Sequence, residues 1–287
     1  ALRPWAGEHS PNQTPLVMEI GMANFRSELR MLLVACGLGL LACSAEAGDL
    51  VQTIRQVKPS IVGVGTYMVL RQQQDKLLGS GFVVADGNHA VTNSHVVPTD
   101  LDEGRRETVT VYIPAGGDRA QRRPAKVQLR DPVHDVCLLR FEGPPVRALR
   151  LGRAEDVQEG EPIAFTGFPI LNVLGLHPVT HRGIISAITP YILPVNSGKE
   201  LRQDVLRRLS RPFQVFQLDA TAYPGNSGSP LYEVDSGRVI GIINSVFIKA
   251  SKEMALEATA ISEPSGITYA IPVTYLRRLL DRAKLRY

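Results

Sequence analysis

Cysteine is scarce in this chain. Three occur in 287 residues, and Cys36 and Cys43 both lie near the N-terminus, which leaves Cys137 alone in the body. A disulfide framework is thereby excluded, so stability must come from a hydrophobic core. Cys137 sits in the apolar run Val136-Cys-Leu-Leu139 and reads as a packed core thiol. Helical periodicity is almost missing between about residues 60 and 250, which removes a helical bundle from consideration. Aromatic residues make up only 6% of the chain. The basic clusters at Arg202–Arg211 and Arg277–Arg286 are not interleaved with them, so the net charge of +4 and the pI near 9.0 do not imply a nucleic-acid partner. The apolar run Met31–Ala42 is too short to cross a bilayer as an ordinary helix. No metal or cofactor motif is present: His177 and His181 are four apart, but Pro178 lies between them and no acid is close.

What remains is apolar and rich in valine, isoleucine and glycine. A hydrophobic content of 44% against 21% charged residues supplies a substantial core. At this length the core belongs to one large β domain or two small ones. Strand-like runs are Ile61–Leu70, Gly79–Ala85, Ala90–Thr92, Thr108–Ile113, Ala125–Leu129 and Val136–Phe141. After a stretch rich in proline, glycine and charge come Glu161–Gly167, Val179–Ile188, Phe213–Leu218, Val239–Ile243 and Ile267–Ala270. About six strands on each side of a linker predict two small barrels. The expected organisation is an N-terminal extension over 1–47, a first barrel over 48–142, a linker over 143–160 and a second barrel over 161–287. Leu50–Lys58 is expected as a short helix before Pro59. Pro272–Arg282 is expected as a C-terminal helix burying Val273, Leu276, Leu279 and Leu280. Asn196–Pro212 reads as a polar, partly helical insertion.

Arg26 and Arg30 precede the apolar run 31–42, and small residues follow it, the order of a secretory signal. Two processing routes remain open. Ala45-Glu-Ala47 is an A-x-A cleavage site that would release a soluble protein. Leu40-Leu-Ala-Cys43 resembles a lipobox, in which Cys43 would carry a lipid anchor. Either route places the protein outside the cytoplasm, in the periplasm or on the outer membrane.

Two glycines and two prolines crowd around one serine in Tyr223-Pro-Gly-Asn-Ser-Gly-Ser-Pro230, so the backbone must turn sharply there. A serine on such a turn between strands presents its hydroxyl and the neighbouring amides, the requirement for nucleophilic acyl transfer. By itself the string is as compatible with a plain surface turn. A base and an acid raise its meaning. His95 follows the strand Ala90–Thr92, and Asp135 opens the run 136–141 after a proline turn. The chain order is His95, Asp135, Ser227, as in the chymotrypsin-type double barrel and unlike subtilisins or α/β-hydrolases.

The sequence resembles the HtrA/Deg-type trypsin-like serine proteases. The resemblance is carried by Gly79-Ser-Gly-Phe-Val-Val, Thr92-Asn-Ser-His-Val-Val97, Asp131-Pro-Val-His-Asp-Val-Cys-Leu-Leu139, Leu218–Leu231, Val239-Ile-Gly-Ile and Gly266-Ile-Thr-Tyr-Ala-Ile-Pro272, in this order. It implies an all-β fold of two six-stranded barrels of chymotrypsin/trypsin type, with short N- and C-terminal helices, acting on polypeptides without a cofactor. It further implies His95 as general base, Asp135 as its orienting carboxylate and Ser227 as nucleophile. The oxyanion hole is expected at Gly225, Asn226 and Ser227, with the Gly225 and Ser227 amides as donors. Thr221 and Asn244 are expected at the specificity pocket, which with no acid evident there would favour small aliphatic residues. Homotrimers are common in the family, although nothing in this sequence displays one. PDZ domains, which usually follow, are not expected after the C-terminal helix. Ser229 departs from the family's usual glycine, which puts the resting shape of the oxyanion turn in question if that position needs positive φ.

Overall fold

A computed structural model describes residues 49–117, 119–169, 176–191, 213–244 and 267–287. The signal and lipobox expectations and the Asn196–Pro212 insertion lie outside these residues. Helix α1 (Asp49–Val57) leads into the first strands. Strands β1 (Ile61–Tyr67), β2 (Asp75–Val84), β3 (His89–Asn93), β4 (Thr108–Pro114), β5 (Ala120–Asp131) and β6 (Val136–Phe141) close a barrel in the order β1-β2-β3-β6-β5-β4. Strands β7 (Pro162–Gly167), β8 (Val179–Pro190), β9 (Gln214–Asp219), β10 (Pro230–Glu233), β11 (Val239–Asn244) and β12 (Ile267–Pro272) close a second barrel in the order β7-β8-β9-β12-β11-β10. Every ladder is antiparallel. The two barrels thus share one topology.

The strands form where β-branched residues serve two buried faces. β1 is buried from Ile61 through Thr66, because one face lines the barrel and the other meets a second apolar layer. Val62, Val64, Val83, Val109, Val111, Cys137 and Leu139 fill the first barrel. Ile163, Phe165, Ile185, Phe216, Leu218 and Ile240 belong to the second barrel's cluster. A third cluster joins Phe82, Val136 and Leu138 to Tyr232, Ile242 and Ile271, and is closed by Val273, Leu276, Leu279 and Leu280 of helix α2 (Val273–Arg282). These four helical residues are the stripe expected from the sequence. Each fully buried Leu or Phe contributes roughly 1.5–3 kcal/mol relative to exposure. Cys137 is a free thiol inside the first barrel, and burial pushes its pKa up to about 11. Among the described residues no helix is long and apolar enough to cross a membrane.

Three strands differ from the sequence expectation. β2 starts at Asp75 and β5 at Ala120, earlier than hydrophobic pattern suggests. Most of Ala120–Pro124 is exposed, so pairing with β4 holds those residues in the sheet despite their polar character. β10 is only four residues long and begins at a proline. It closes the second barrel through Leu231 opposite Phe165.

Candidate active site

His95 lies in a single 3₁₀ turn, Ser94–Val96, that follows β3 directly. Asp135 ends the β5–β6 connection and adopts φ +55°, a left-handed conformation that ordinarily costs a non-glycine residue roughly 1–2 kcal/mol. Its hydrogen bonds offset that cost. The Asp135 carbonyl accepts from the Ser94 N–H at 3.1 Å and from Asn93 Nδ2 at 3.1 Å. Its carboxylate accepts from the His95 N–H at 2.8 Å, through Oδ1. Oδ2 lies 2.7 Å from His95 Nδ1 and accepts from Asn244 Nδ2 at 2.6 Å. The His95 side chain is 30% exposed and that of Asp135 17% exposed, so one end of the imidazole is fixed while the group stays reachable.

The connection that delivers Asp135 is shaped by Asp131. Its Oδ1 accepts the N–H groups of Val133 and His134, and Oδ2 lies 2.7 Å from His134 Nδ1. Burial pushes the Asp131 carboxyl up, but the hydrogen bonds from His134 outweigh it and hold the group below the ordinary carboxylate range. His134 stacks on Tyr275 of α2 with centroids 4.0 Å apart. The connection is therefore pinned from the helix side.

Ser227 sits where two tight turns meet. The Asn226 N–H donates to the Tyr223 carbonyl at 3.0 Å, and the Ser229 N–H donates to the Asn226 carbonyl at 3.0 Å. Gly225 and Gly228 occupy the third position of the two turns at φ +101° and +89°, as a type II turn demands. The Asn226 N–H closes the first turn, which leaves the Gly225 and Ser227 amides on either side of it as the expected donors. Ser229 has no positive φ, so its Cβ strains nothing, and its N–H closes the second turn.

The first barrel grips this loop through Ser80 of β2. The Ser80 N–H donates to the Ser227 carbonyl at 2.8 Å. Its hydroxyl donates to the Gly225 carbonyl at 2.7 Å and accepts the Phe168 N–H at 2.9 Å. The Ser80 carbonyl in turn accepts from Thr92 Oγ1 at 2.7 Å. Ser80 lies inside the Gly79-Ser-Gly-Phe motif, and a hydroxyl between two glycines on a strand was the one sequence signal for its role. Asn244, expected at the specificity pocket, is fully buried with its amide on Asp135. Thr221 is half-buried on the segment between β9 and the double turn.

The site thus joins an imidazole–carboxylate pair from one barrel to a serine-bearing double turn from the other. A model of the trypsin-like peptidase domain matches residues 79–242. This chain belongs to the trypsin-like peptidase family. Among its curated relatives, the probable periplasmic serine endoprotease DegP-like of Pseudomonas fluorescens is 26% identical over 83% of this chain and 49% of the relative. The protein of the same description from Pseudomonas putida strain GB-1 is 32% identical over 71% of this chain and 34% of the relative. The chain therefore spans between a third and a half of these relatives. Two structures of the HtrA-type protease AlgW with tripeptide superpose with TM-scores of 0.56 and 0.55, at 22% and 21% identity, over 81% of this chain and 62% of theirs. They share the trypsin-like double-barrel fold.

Other polar residues stand apart from this trypsin-like site. His181 is the exception: it stacks on Phe165 at 4.7 Å and meets the ring of Tyr223, at the start of the double turn, at 5.9 Å, and burial lowers its pKa. Among the described residues no group of His, Cys, Asp or Glu is arranged to hold a metal ion.

Proposed function

We propose that the protein is a serine endopeptidase that hydrolyses peptide bonds of unfolded or misfolded proteins in the bacterial envelope, through an acyl-enzyme on Ser227. The observation that carries this reading is the His95–Asp135 pair, 2.7 Å between Nδ1 and Oδ2, on the same barrel that grips the Ser227 turn. A serine hydroxyl is a poor nucleophile near neutral pH and needs a base. With Nδ1–H donated to Asp135, the Nε2 lone pair of His95 is the group that accepts the Ser227 proton. Oγ then bonds to the substrate carbonyl carbon, and the carbonyl electron pair moves onto oxygen. The Gly225 and Ser227 N–H groups receive that oxyanion. The imidazolium, stabilised by Asp135, protonates the leaving amine as the peptide C–N bond breaks. Water, deprotonated by the same imidazole, then releases the acyl group and restores Ser227.

Asn244 in this reading steadies Asp135, and Thr221 borders a pocket for small aliphatic side chains. The leader motif and the relatives described as periplasmic support export. Cleavage after Ala47 would give a soluble form and lipidation of Cys43 an anchored one; a homotrimer, an assembly common among HtrA-type proteases, is the proposed oligomer. The test is fluorophosphonate labelling of the purified chain beside Ser227→Ala and His95→Ala. Labelling should be strong in the wild type and lost in both variants, with casein hydrolysis falling by about 10⁴-fold or more. A folded wild type that takes no label overturns the proposal.

A further inference from the structure

A second site opens in the wall of the first barrel, where β4 and β5 part. Their ladder ends at Thr110 opposite Pro124, and a proline has no N–H to continue it. Beyond that point Val109 and Thr108 pair only with β1, and Ala125–Asp131 pair only with β6. Two strand edges therefore face each other across a gap. The gap is a cavity of about 1290 Å³, above the roughly 300–1,000 Å³ usual for small-ligand sites and ample for several residues of extended peptide.

Its charge is one-sided. Arg122, Arg123, Lys126, Arg130 and Arg140 line it, against Glu107 and Glu142. Glu107 is already committed to Arg71 at 2.9 Å. Of the five cations only Arg122 makes an ion pair with a described carboxylate, Asp75 at 3.6 Å. Lys126 and Arg140 are register partners on adjacent strands, a like-charge juxtaposition that is unfavourable unless an anion lies between them. Arg123 is only 8% exposed, yet its guanidinium meets the Pro144 carbonyl and Gln121 Oε1 instead of a carboxylate, and its Nε has no partner. A buried cation without a counter-charge is costly. Apolar surface completes the slot: Val127 is 40% exposed there.

We propose that this slot binds an extended, acidic segment of another polypeptide, which adds a strand to the free edge of β5. Main-chain groups of β5 would supply its hydrogen bonds, while Lys126, Arg130 and Arg140 would receive its carboxylates and Val127 its apolar side chains. The same cations repel a second copy of the basic β5 edge. Arg130 also donates to the Ser94 carbonyl at 3.3 Å, and Pro98, Thr99 and Leu101 line the slot. The slot therefore shares a wall with the segment that carries His95.

Binding needs no chemistry at Ser227, so the test uses the full-length Ser227→Ala protein. A fluorescein-labelled peptide of alternating Glu and Val is titrated by anisotropy. The double variant K126E/R140E, at two exposed positions, should weaken binding by about tenfold or more. R282E/R286E makes the same change of net charge away from the slot and should leave binding within about twofold. A peptide N-methylated on alternate amides should lose binding, since a strand cannot pair without its N–H groups. Equal weakening by both double variants, unimpaired binding of the N-methylated peptide, or displacement by an oligonucleotide of equal charge would each overturn the proposal.

Discussion

Asp135 is held in a left-handed conformation, and the groups that hold it come from widely separated parts of the chain. Asn244 is the telling one, because its amide donates at every ordinary pH and carries no charge of its own to be neutralised. Replacing it with leucine, close in volume but without a donor, removes one of the bonds on Oδ2. A hydrogen bond to a charged group contributes roughly 1.5–3 kcal/mol. If Asp135 steadies an imidazolium, Asn244→Leu should lower kcat by roughly 10–10² with KM little changed. Steady-state kinetics on a peptide ester, with circular dichroism as the folding control, would check this; an unchanged kcat would remove Asn244 from the machinery. The identities of His95, Asp135 and Ser227 were readable as candidates, because residue type, chain order and glycine punctuation all survive in one dimension. The supporting donors were not. Asn244 meets a partner 109 positions away and Ser80 one 145 positions away, and asparagine or serine reads equally well as a pocket wall or a turn.

Elements impose their own demands, most sharply in the double turn. A Cβ built on Gly228 would stand 2.1 Å from the Ser80 carbonyl, at a φ of +89°. Gly228→Ala cannot be absorbed by a side-chain shift, since the obstacle is backbone. It should cost roughly 2–4 kcal/mol, read from urea denaturation, and should abolish fluorophosphonate labelling under conditions where the protein remains folded. Retained labelling would mean that the loop tolerates another path. The strands themselves were legible where apolar residues face two buried layers, as in β1. They were obscure where pairing overrides composition. Residues 120–124 of β5 are mostly exposed and polar, and only the ladder to β4 makes them strand. β10 is too short, and too close to proline and glycine, to leave a periodic signal.

The molecule as a whole is joined by a core that belongs to neither barrel alone. Phe82, Leu138, Tyr232 and Ile242 meet there under the stripe of α2. Truncating Leu276 to alanine should cost roughly 2–5 kcal/mol, and chemical unfolding should remain a single transition in wild type and variant alike. Two separated transitions would show that the barrels fold independently. No repeat in the residues announces that both barrels follow one strand order, because matching topology requires only matching patterns of burial, not matching residues. The grip between them is reciprocal. Ser80 of the first barrel holds the Ser227 carbonyl of the second, and Asn244 of the second holds the Asp135 carboxylate of the first. A half-folded chain therefore carries either His95 and Asp135 or Ser227, each without its far-side brace. If the chain cuts as proposed, that competence arrives last, only after the halves have met.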